Sequence, residues 1–157
     1  MSRRKGRILA FQSLYSYDVG GVELDELLKF QWLEKPENES AISNLGEEAE
    51  EETETATGYN TEENKTFASL IVSGTIQQLS EIDEIIKSHL SANWSFDRLN
   101  KVTLAILRMS IYCIKYQKDV DSAIVIDEAI AIAKSFGEDE SYKFINAILD
   151  KISREQA

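Results

Sequence analysis

Four cations, Arg3, Arg4, Lys5 and Arg7, crowd the start of the chain, and Gln12, Tyr15 and Tyr17 follow them. Guanidinium and ammonium groups donate to phosphate oxygens, while amide and phenol groups hydrogen-bond to or stack on unpaired bases. This order of residue types therefore suits a single-stranded RNA. If a helix starts near Ser2, the cations occupy its first turns, where the helix dipole disfavours each of them by up to roughly 1 kcal/mol. Helix stability does not account for them. Two readings stay open on the charges alone: a phosphate-binding arm, or an ordinary solvated terminus.

Residues for other chemistry are sparse. There is no glycine-rich phosphate loop, no His-Glu-x-x-His, no paired cysteines and no serine in a nucleophile elbow. His89 has no second histidine or cysteine near it and reads as a surface or packing residue. Cys113 excludes an internal disulfide and reads as an inert buried thiol. Asp127 and Glu128 are adjacent, and neighbours on a helix diverge by about 100°, so they read as surface charge rather than a general acid and base. Neither an enzyme nor a cofactor or metal site is expected.

The elements that must position the arm are helices. In 123–152, Val125, Ala129, Ile132 and Phe136 step by four, three and four, with Asp127, Ala131 and Lys134 on the opposite face. Gly137 ends that stripe, Glu138, Asp139 and Glu140 precede a second one, and Tyr142, Ile145, Leu149 and Ile152 carry it. Two such helices pack as a hairpin with a polar corner at 137–143, a candidate partner surface. Over roughly 98–117, one stripe contains Leu99, Val102, Ile106, Met109 and Cys113, and a second contains Leu104, Leu107, Ile111 and Ile114. A helix apolar on two sides is a central one, with Lys101, Arg108 and Lys115 as its polar edge and Asp97 as its expected cap. Earlier, Ile8, Phe11 and Tyr15 are expected to face the core. Leu24, Leu27, Leu28 and Trp32 predict a second helix ending before Pro36, and the spacing resumes with Phe67, Leu70, Ile71, Gly74 and Leu79.

A chain of 157 residues with 43% hydrophobic content can bury one compact unit, and no apolar run approaches bilayer length, which places it in a reducing cytosol, away from membranes. The basic N-terminus lacks the apolar core of a signal peptide. The net charge of −11 argues against nucleic acid until it is located: residues 37–63 hold ten glutamates and no lysine or arginine, and the remainder carries 17 cations against 18 anions. The pattern disappears over 37–64, which reads as a disordered acidic insertion. It is either a solvated spacer or a competitor with RNA phosphates for the basic arm.

The stretch VIDEAIAIAKSFGEDESYKFINAILDKI resembles the C-terminal signature of the NusB family of bacterial transcription antitermination factors, with its Asp-Glu-Ala, Ala-Lys-Ser-Phe-Gly and Lys-Phe-x-Asn-x-x-Leu-Asp segments. RRKGRILAFQSLYSY is similar to that family's arginine-rich start and Ala-x-Gln-x-Leu-Tyr segment, and LAILRMSIYCI to its central helix. The resemblance implies one all-α domain over 1–157, of about seven helices in two small bundles. It implies binding to the boxA element of nascent ribosomal RNA leaders together with the ribosomal protein NusE, alongside other Nus factors and RNA polymerase. No bond would be made or broken. A homodimer on the same surface is left open, as is a helical adaptor that binds NusE without sequence-specific RNA recognition.

Carried over by position, Arg3, Arg4, Arg7, Gln12 and Tyr15 match the RNA-contacting helix, and Lys134 and Lys143 flank the corner where RNA and NusE surfaces meet. Glu140 and Phe144 match the partner contact there. Three departures stand out. Asp121 replaces a proline frequent before the penultimate helix, Thr103 replaces a glutamate of the shared surface, and the acidic insertion lacks a counterpart in shorter relatives. The family's helical domain also occurs fused to ribosomal RNA cytosine methyltransferases, for whose α/β domain this sequence is expected to leave no room after Ala157.

Overall fold

The computed structural model describes residues 4–29, 61–91, 95–117 and 119–156. Among these residues all regular structure is helical: α1 (Arg4–Gly20), α2 (Leu24–Leu27), α3 (Glu62–Gln77), α4 (Leu79–Ser88), α5 (Lys101–Tyr116), α6 (Ser122–Phe136) and α7 (Ser141–Gln156), with a 3-10 turn at Phe96–Arg98 before α5. The chain divides into two compact units, Met1–Leu70 and Ile71–Ala157, in keeping with the two expected bundles. No described helix is long and apolar enough to cross a membrane.

In the first unit, α1 buries Ile8, Leu9, Ala10, Phe11 and Leu14. Tyr15, expected in the core, is 37% exposed instead. Leu14, three residues on from Phe11, takes the inward position, and the next residue turns about 100° away from it. The predicted second helix shortens to α2, anchored by buried Leu27, while Trp32 and Pro36 lie outside the described residues.

The start of α3 corrects the far boundary of the insertion. Residues 62–64 form its first turn, Thr61 Oγ1 accepts the Asn64 N–H at 3.1 Å, and Asn64 is buried. Glu62 and Glu63 suit the positive pole of a helix N-terminus. The expected disorder over the rest of 37–64 falls on residues outside those described, apart from Thr61, which caps α3.

In the second unit, α5 is the central helix: Thr103 through Ile111 are all buried, as are Cys113 and Ile114, and it packs against α4, α6 and α7. Its cap is Asn100, not Asp97. The Asn100 side chain accepts from the Val102 and Thr103 N–H groups at 2.9 and 3.2 Å, while Asp97 belongs to the preceding turn, where its N–H donates to Ser95. Asp121, standing where a proline was expected, caps α6 by accepting the Ala123 N–H at 3.0 Å. The α6–α7 hairpin buries Val125, Ala129, Ile132 and Ala133 on α6 and Ile145, Ile148, Leu149 and Ile152 on α7, and the two helices pack on each other and on α5. His89, read as a surface or packing residue, is half-buried and makes polar contacts. Nε2 meets the Glu155 carboxylate at 3.0 Å and Nδ1 the Ile85 carbonyl at 2.8 Å, which ties the end of α4 to the last turn of α7.

Candidate nucleic-acid interface

The arm rides on α1. Arg3 lies outside the described residues, and Arg4 and Lys5 are half-buried and engaged with neighbours. Arg4 and Tyr15 are three helical turns apart and so share a side of α1, with the Tyr15 ring exposed for stacking. Gln12 is half-buried, and its Oε1 is itself buried with no hydrogen-bond partner among the described residues.

Arg7 departs from the expectation of a phosphate-facing cation. It is 4% exposed, and its Cζ lies 5.3 Å from the centroid of the Phe67 ring. Gly6 permits that approach, since a Cβ there would stand 2.4 Å from Phe67 Cδ2. The role of Phe67 was not legible beyond its place in an apolar stripe. The available signal was Gly6, a glycine inside a helix, which marks a close approach.

The polar corner between α6 and α7 brings together the other expected residues. Gly137 ends α6 in extended backbone (φ −91°, ψ 178°), so it is glycine for space: a Cβ would meet the Ala133 carbonyl oxygen at 2.8 Å and Ser141 Oγ at 2.6 Å. The left-handed residue is Glu140, with φ 73°. Lys134 is exposed, with Nζ 4.7 Å from the centroid of the Tyr142 ring, and Lys143 Nζ pairs with Glu140 at 3.0 Å. The corner thus presents two exposed lysines, one of them shared with a carboxylate. Phe136 and Phe144 are half-buried, so both stay between core and surface roles. Thr103, replacing the expected glutamate, is buried and supplies no carboxylate.

Half-buried Tyr116 donates to Glu81 and stacks with Tyr112 at 5.4 Å, while Lys115 approaches Glu81 at 3.6 Å. Burial first, then the hydrogen bond and charge of Glu81 and the nearby Tyr112, push the Tyr116 phenol up to about 12. Among the described residues no three histidine, cysteine, aspartate or glutamate side chains gather as a metal site would require.

The profile of the NusB family matches residues 4–154, which is nearly the whole chain. The chain belongs to the NusB family. The transcription antitermination protein NusB of Treponema denticola is 48% identical over 152 residues, covering 97% of this chain and 96% of the relative. Among solved structures, T. maritima NusB superposes with a TM-score of 0.76 at 29% identity, over 100% of this chain and 94% of that one. A complex of the antitermination factors NusB and NusE with double-stranded RNA contains the same fold, with a TM-score of 0.72 at 24% identity over 98% and 96%. In this chain Arg4, Arg7, Gln12 and Tyr15 lie on α1, and Lys134, Ser135 and Phe136 form the end of α6 before Gly137.

Proposed function

We propose that this protein is a cytosolic transcription antitermination factor that binds the boxA element of nascent ribosomal RNA leaders together with NusE, and that the pair joins other Nus factors on RNA polymerase to read through terminators. The observation that carries the reading is family membership across residues 4–154, with a NusB relative alike at 48% over nearly all of both chains. The work is recognition and requires no catalytic group. Arg3, Arg4, Lys134 and Lys143 supply phosphate contacts, which set affinity and its salt dependence, and Gln12 and Tyr15 address bases. Glu140 and Phe144 take the NusE side of the corner.

Charge removal tests these roles. Lys134→Ala and Arg4→Ala should each weaken binding of a boxA RNA and flatten the plot of log affinity against log salt by about 0.7, the single-strand value per phosphate contact. Unchanged affinity in both variants, with NusE binding intact, would favour the protein adaptor.

A further inference from the structure

Arg7 poses a problem that its neighbours in the arm do not. A phosphate oxygen must reach about 3 Å from an N–H to be bound, yet this guanidinium is 4% exposed and lies against the face of Phe67. Its Nε is buried with no hydrogen-bond partner among the described residues. A buried cation is costly unless something offsets it, and here the negative face of an aromatic ring is what the structure places beside it. Gly6 completes the fit, because a side chain at that position would drive Phe67 away.

The position on the helix explains what the contact does. Arg7 is one turn past Arg4, where α1 begins. First turns lack half their backbone hydrogen bonds and fray, and a cluster of cations at the positive pole of the helix adds to that tendency. A first turn carrying cations for a ligand needs a tether from outside the helix.

We propose that Arg7 is a positioning residue rather than a phosphate ligand: stacked on Phe67, it clamps the first turns of α1 onto α3 and so fixes where Arg4 and Lys5 meet RNA. This rests on the RNA-binding reading above.

The test uses the full chain and four variants: Arg7→Met, Phe67→Leu, their combination, and Phe67→Tyr, which keeps the ring. Binding of a boxA-like RNA is measured across a salt series well below the melting temperature of each variant. Amide exchange over residues 8–11 is measured without RNA. Arg7→Met and Phe67→Leu should each weaken binding about tenfold, a typical coupling for residues in contact, with the salt slope unchanged. The double variant should be no worse than either single one, and Phe67→Tyr should bind as the parent does. Both weakened variants should exchange faster over 8–11, and Phe67→Tyr should not.

A fall of about 0.7 in the salt slope of Arg7→Met, with Phe67→Leu binding normally, would make Arg7 a direct phosphate contact and overturn the proposal. Parent-like affinity in both variants would reduce the pair to packing. Unchanged exchange over 8–11 would remove the clamp whatever the RNA does. If the parent chain bound no RNA, the functional reading would fall, while the exchange measurement would still decide the clamp.

Discussion

Replacing Asp83 tests the packing of the second unit at a largely buried ion pair. Arg108 Nε and Nη2 donate to Asp83 Oδ1 and Oδ2, both at 2.9 Å, and the side chains are 10% and 18% exposed. Removing one member of a buried pair costs about 3–5 kcal/mol, and the water still reaching Asp83 lowers that to roughly 2–4 kcal/mol for Asp83→Leu. At about 2–4 °C per kcal/mol for a chain of this size, the melting temperature falls on the order of 10 °C. Arg108→Met should cost less: methionine replaces the aliphatic stem, and the stranded carboxylate is the partner nearer to water. The double variant should recover most of the loss, because an apolar pair of similar volume has no charge to desolvate. Urea unfolding at neutral pH, at low and high salt, reads all three, and salt should matter little for a pair this buried. An Asp83→Leu cost below about 1 kcal/mol, or single costs that simply add in the double variant, would refute the reasoning.

Gly137→Ala should destabilise by about 1–3 kcal/mol in the same unfolding assay, since the new methyl meets a backbone carbonyl that cannot move aside cheaply. Glu140→Gly should act the other way and stabilise by about 0.5–1 kcal/mol, because it relieves a left-handed backbone and gives up only an exposed ion pair. A loss of stability there would mean the Lys143 pair matters more than the strain. A phenolate absorbance titration should show a step near pH 12 from Tyr116, and Tyr116→Phe should remove that step. Its raised value means the folded state holds the proton more tightly. The stability it contributes is therefore complete below pH 10.0, the ordinary tyrosine value, and is lost as pH climbs towards about 12.

Periodicity made the second unit legible. The two-sided stripe of α5 and the paired stripes of α6 and α7 mark most of the residues the structure buries, because apolar burial is what both record, while Val102, Phe136 and Tyr142 at the stripe ends are only half-buried. Single hydrogen bonds were less legible. Asp97 and Asn100 are both good capping residues three positions apart, and only the backbone geometry selects Asn100. The first turn of α3 was missed because Thr61, Glu62, Glu63 and Asn64 are polar, and a capped polar turn looks in sequence like the acidic stretch before it. Tyr15 was misplaced by one helical step. In the arm, the charges were legible and the fate of Arg7 was not, since its burial depends on Phe67, a residue distant in sequence, and on Gly6 making room for it. The left-handed backbone of Glu140 has no counterpart in residue type at all.

Titration of a labelled boxA RNA, with and without purified NusE, across a salt series and against a scrambled RNA, tests the central claim most directly. The account predicts binding that prefers boxA, tightens with NusE and weakens with salt. Equal affinity for the scrambled RNA, or NusE binding with no RNA preference, would contradict it.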